Sequence, residues 1–405
     1  MHRKIEGNLN AYFIIVLFIW ISLLPAPMQN QYSMTLKIFL FLAFLDLWAR
    51  KGNGIFRKDS LSLWIFILGI SLSNFFAVNK EAAFTAYLNM ALPLVFIYYM
   101  AREDFSDGFA FSILVKAISL CSIIVALIGL AQCIVPNSAL YKYFGESPFF
   151  KAYLNSSVRP VSTQWHPKVL ASYLVYSLPF NILLFKTGSL LFRRLAVAGI
   201  VLSVAAAVLT FSRSAFLSIV TMVLFYLFMQ KNFVLIRVFL VSLLLFGFVS
   251  SVFPWPLNRF SIDCMVVNPY TSMLSINNFM KHFRVIEMIK TSPLTGAGFG
   301  NSNWVIDNTY LKILVEAGII GFLGFAIFIM YLLQCAWKKL GRLEAGSKEW
   351  WFLFVVLMSF IGLLVDISGY DVIFWPNPYL YFCILAGCMA ALSRPEQVKN
   401  NEPNA

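Results

Sequence analysis

Residues 109–134 read FAFSILVKAISLCSIIVALIGLAQCI, a run interrupted by a single charge, Lys116. Coiled as an α-helix at 1.5 Å per residue it reaches about 39 Å, enough to cross roughly 30 Å of hydrocarbon. A membrane barrel would instead alternate apolar and polar residues in short segments. Comparable runs recur near residues 9–25, 34–49, 61–78, 83–100, 168–185, 193–211, 214–230, 232–253, 316–337, 350–366 and 376–392. They predict an all-α polytopic integral membrane protein with about twelve transmembrane helices. The first run precedes Pro25 and Pro27 without a small-residue cleavage site, so it is expected to be a retained helix.

Composition agrees. The chain is 60% hydrophobic and 12% charged, with mean hydropathy +0.78, outside the balance of soluble domains. The net charge of +13 is scattered over short segments: Arg3 and Lys4, Arg50 to Lys58, Arg102, Lys186 to Arg194, Lys231, Lys338 to Lys348, then Arg394 and Lys399. With the amino terminus inside, these all fall on the cytoplasmic side, as the positive-inside rule requires. No single basic face forms, so nucleic acid is not an expected partner. The six cysteines lack a CxxC pair and read as small core residues, not as metal ligands or a disulfide framework.

This topology makes residues 1–393 one membrane domain with large extracytoplasmic loops at 136–167 and 254–315, and 394–405 a flexible cytoplasmic tail. Within the second loop, residues 275–293 predict an interfacial helix whose apolar stripe is Phe279, Phe283, Ile286 and Ile289. No internal repeat is visible.

The polar residues suggest an anion site. Arg213 sits between two apolar runs, flanked by Ser212 and Ser214; it is either an interface anchor or a phosphate ligand. Arg159, Arg259 and Arg284 add outward cations whose planar forks suit phosphate oxygens. The glycines of GAGFG, Gly298 among them, lack the lysine of an ATPase loop and permit tight turns, close approach, or amide donation to an oxygen-rich ligand. Asp307, Asn308 and Tyr310 stand at the lip of a span. There a carboxylate can orient or deprotonate a hydroxyl, or the pair can cap a helix. Glu316 is expected to face water or pair with Lys312, four residues earlier. His2, His166 and His282 are too scattered for a zinc site.

Four stretches, RPVSTQWHPKVLASYL, TFSRSAFLSIV, FRVIEMIKTSPLTGAGFG and DNTYLKILVEAGIIG, resemble, in order and spacing, the O-antigen ligase and polymerase superfamily of bacterial envelope glycan enzymes. The resemblance implies a membrane glycosyltransferase-like fold in the bacterial cytoplasmic (inner) membrane, with its active site on the extracytoplasmic side. It implies an undecaprenyl-diphosphate-linked glycan donor, a glycan acceptor, inversion at the transferred sugar, and neither cofactor nor metal. A flippase or chain-length regulator would be a further partner. Arg213 and Arg284 match the family arginines that hold the donor diphosphate. Asp307 stands where lipid-A-core ligases carry a histidine that activates the acceptor, and so favours a repeat-unit polymerase over a ligase. A transporter of lipid-linked oligosaccharide and a noncatalytic assembly protein are the alternatives from other classes.

Overall fold

The computed structural model describes residues 9–23, 33–51, 60–105, 108–134, 160–164, 166–252, 285–302, 306, 308–369, 371 and 376–394. Among them lie twelve long α-helices: α1 (Leu9–Leu23), α2 (Ser33–Lys51), α3 (Leu61–Phe75), α4 (Lys80–Asp104), α5 (Gly108–Ile134), α6 (Pro167–Thr187), α7 (Leu190–Leu209), α8 (Arg213–Met229), α9 (Phe233–Val252), α10 (Thr309–Leu340), α11 (Lys348–Asp366) and α12 (Pro376–Leu392). Each coincides with one of the apolar runs read from the sequence. Six of them, α4, α5, α6, α7, α10 and α11, are long and apolar enough to cross a membrane, and six shorter apolar stretches accompany them. This is the make-up of a helical multi-pass membrane protein.

α6 occupies the middle of the bundle and packs against α5, α7, α8, α11 and α12. Its consecutive residues Val169 to Pro179 are all buried, as expected of a helix apolar on every side. Tyr173 and Tyr176 meet Tyr381 of α12 edge to face, with ring centroids 5.4 and 5.8 Å apart. Asn181 donates to Ser122 of α5 at 3.2 Å, and Gly199 of α7 leaves room for its carboxamide. On the other flank α3 packs closely on α10: a Cβ on Gly69 would lie 3.0 Å from the Gly321 Cα, so small residues set the helix spacing.

Contacts between helix ends give the bundle two distinct faces. At one, the Ser22 carbonyl ending α1 accepts from Thr163 at 2.8 Å. Gln132 near the end of α5 accepts from the amides of Val161 and Ser162 at 3.0 and 2.8 Å, and Asn377 at the start of α12 bonds Gln164. At the other, Arg394 beyond α12 pairs with Glu103 at the end of α4.

Three expectations change in detail. α10 starts at Thr309, earlier than residue 316, because Asn308 caps it and the helix tolerates a break at Gly318, where φ is 64° and ψ −171°. Of the expected interfacial helix, residues 275–284 lie outside the described residues. Residues 285–291 are helical, but Val285, Met288 and Ile289 face the protein while Ile286 is 51% exposed. The packing face is set by Ile306 and Val315, about one residue round from the expected stripe. Arg102, expected in a loop, is buried in the last turn of α4 against the Tyr99 ring, 5.7 Å from its centroid.

Candidate functional site

At the first of these faces the starts of α6, α8 and α10 gather around the end of α11. Asp366, the last residue of α11, is fully buried. Its Oδ2 accepts from Ser172 and from Tyr176 at 2.5 Å, both on α6, while its Oδ1 has no hydrogen-bond partner among the described residues. An isolated carboxylate here would be costly, and two hydroxyl donors offset part of that cost.

α10 arrives by capping the same helix end. The last carbonyls of an α-helix have no partner within it. Here the Thr309 amide reaches Ile367 O at 3.0 Å, Asn308 Nδ2 reaches Ser368 O at 2.6 Å, and the Tyr310 hydroxyl reaches Leu364 O at 2.7 Å. Asn308 Oδ1 meanwhile accepts from the Leu311 amide at 3.0 Å, a side-chain cap of α10. One turn on, Lys312 Nζ lies 2.7 Å from Asp371 Oδ2 and 3.9 Å from Glu316 Oε1, all three largely shielded from solvent. The expected Lys312–Glu316 pairing is present, and Asp371 is its closer third member.

The glycine-rich stretch serves the break in α10. The Ile319 and Ile320 amides reach back to the Pro293 and Leu294 carbonyls at 2.9 and 3.2 Å. The Ala297 and Gly298 amides in turn donate to Val315 O and Glu316 O at 2.9 and 3.0 Å. Ser73 of α3 also donates to Glu316 O at 2.5 Å. A Cβ on Gly318 would collide with the Leu294 carbonyl, and one on Gly298 with Ala77. Ser302 bonds the Glu316 carboxylate through its hydroxyl and, at 3.3 Å, through its amide. The loop therefore replaces the hydrogen bonds the helix loses where it breaks.

Ser212 precedes α8 with its hydroxyl 3.4 Å from that of Ser214, and Arg213 opens the helix as an exposed residue. His166 precedes α6, its Nδ1 accepting from the Lys168 amide at 3.1 Å. The structure thus brings Ser212, Ser214, Asn308 and Tyr310 to the end of α11, sets Arg213 outward beside them, and puts Gly298 in the loop on α10. Arg159, Arg259, Arg284 and Asp307 lie outside the described residues. Asp366 and Asp371 were not singled out from the sequence, although carboxylates in LLVDISGYD, at the end of an apolar run, carry a readable signal.

The hydroxyls, acids and lysine gathered here form a polar basin at the end of α11, in which first amides of α6 and α10 are taken up by His166 and Asn308. The fold and this end of the bundle define a helical multi-pass membrane protein with a hydrogen-bonded polar site at one face. No protein-family model matches the chain, and no curated protein matches it in sequence.

Proposed function

We propose that this protein is a membrane glycosyltransferase that polymerises or transfers a polyprenyl-diphosphate-linked oligosaccharide, its twelve helices all crossing the bacterial inner membrane and its basin facing outward. The observation that supports this reading most is the exposed Arg213 opening α8, adjoining Ser214, which packs against Gly369 just past the end of α11. A guanidinium at a helix start suits a diphosphate, the leaving group of such a reaction. In the reaction an acceptor hydroxyl oxygen bonds to the anomeric carbon as the bond from that carbon to the diphosphate oxygen breaks. The leaving polyprenyl diphosphate keeps the electron pair and the configuration inverts. Arg213, with Arg284 by resemblance, stabilises the charge that develops on the leaving oxygens. Asp307, adjoining the capping Asn308, accepts the hydroxyl proton. A single transfer to a distinct lipid or protein acceptor, as in a ligase, uses the same chemistry.

The test is reconstitution of the purified chain in lipid with polyprenyl-diphosphate oligosaccharide, followed by mass analysis of the glycans. A ladder of repeat-unit masses supports a polymerase, and one added unit on a supplied acceptor supports a ligase. Absence of any new glycosidic bond, with folded protein and both substrates present, refutes the reading.

Transport of an unchanged lipid-linked glycan is the second reading, and the broken helix α10 with its buried Lys312, Glu316 and Asp371 is the observation in its favour. Transporters use such breaks to bind substrate with unwound backbone. Here the 293–298 strip already takes up the unwound groups, which favours the enzyme.

A further inference from the structure

α4 carries a polar stripe that the basin does not use. Glu81, Thr85 and Asn89 recur every fourth residue, so they share one face of the helix, and all three are exposed. With Asn79, and with buried Phe299 and Met90, they line a cleft of about 470 Å³, within the roughly 300–1,000 Å³ range of small-ligand sites. Hydrogen-bonding groups on a helix of spanning length are expensive against lipid, so a stripe of them marks a surface that meets something polar.

The cleft belongs to the same face of the molecule. Its Phe299 amide is held by Asn74 at 3.2 Å, and the neighbouring Ser302 bonds Glu316, the partner of Lys312. Its chemistry differs from that of the basin. Carboxamides and a hydroxyl both donate and accept, a carboxylate accepts, and among the described residues no lysine or arginine lines the cleft. A phosphate would meet Glu81 without a compensating cation, whereas sugar hydroxyls match every group present.

We infer that this cleft binds an uncharged stretch of the acceptor glycan, a subsite that rests on the transferase reading above. The experiment is a binding titration of fluorescently labelled, lipid-free and phosphate-free oligosaccharides of the cell's own surface polysaccharide to the full chain in lipid nanodiscs. Saturable binding is expected for the unaltered protein. Thr85→Trp, which fills the cleft, should weaken it at least tenfold, Glu81→Ala about threefold, and Arg213→Ala less than twofold. Glu81→Ala only trims an exposed side chain, and so tests the cleft even where the larger substitution disturbs folding. Absence of saturable binding, or binding unchanged in Glu81→Ala and in folded Thr85→Trp, overturns the inference. Binding with this pattern but without bond formation on adding the lipid-linked donor keeps the cleft and rejects the transferase.

Discussion

Two stretches stand out from the apolar sequence, FSRS at residues 211–214 and GAGFG at 296–300, and the molecule uses them in opposite ways. In GAGFG the amides of Gly296 to Phe299 all donate to protein acceptors, and the glycines admit helix backbone and alanine side chains where a Cβ would sit. In FSRS, Ser214 packs against Gly369, just past the end of α11, while Arg213 is a solvent-exposed residue at the first position of α8. The same departure from hydropathy therefore marks a structural repair in one place and, on the proposed reading, a substrate-facing cation in the other. Burial and close backbone packing separate them; composition does not.

The contrast breaks first at Arg213. Arg213→Ala is expected to lower glycan transfer at least about 100-fold, the scale for losing a group that stabilises leaving-group charge. Thermal stability in detergent should barely change, because the side chain is exposed. Activity near that of the unaltered protein at equal abundance would make Arg213 a mere interface anchor.

Gly318→Ala tests the other stretch and should do the reverse. Its backbone conformation is one that only glycine adopts readily, and a methyl group there strikes the Leu294 carbonyl. A loss of about 3 kcal/mol or more is expected, read as a fall in folded yield and unfolding midpoint. An unchanged midpoint would mean that the 293–298 strip does not hold the break.

Asp366→Ala leaves the hydroxyls of Ser172 and Tyr176 without their buried acceptor and should cost about 2–3 kcal/mol. Asp366→Asn keeps an acceptor and should recover part of that loss. If the two variants prove equally stable, the carboxyl group does not organise the end of α11. The smallest effect is expected from Asn308→Ala, about 1 kcal/mol for the lost cap of α10. A much larger drop in turnover than in stability would instead give Asn308 a direct part in binding.

The sequence made the helices legible because apolar runs of spanning length leave few alternatives. Local spacing also made legible what lies within one turn: the Asn308 cap and the Lys312–Glu316 pair. The core of the candidate site was hidden because its partners are distant in the chain. Ser172 and Tyr176 lie 194 and 190 residues before Asp366, a separation that periodicity cannot bridge. The Ile286 stripe was misplaced for a related reason. Spacing shows that a helix has an apolar face, whereas the neighbours Ile306 and Val315 decide which residues turn toward the protein. Gly318 looked like any small residue in an apolar helix, since the break depends on a strip of chain folded back against it.

That strip has a consequence for biosynthesis. Ser73 and residues 293–298, which satisfy the broken backbone of α10, are all synthesised before Gly318, so the bend needs nothing still to be translated. Lys312 is in a different position. Asp371, its nearer acid, emerges only after the whole of α11, while Glu316 follows within one helical turn. During synthesis the lysine is matched first by its local acid and only later by the distant one. The i+4 carboxylate thus bridges the interval in which a charged segment would otherwise enter the bilayer without a counterion.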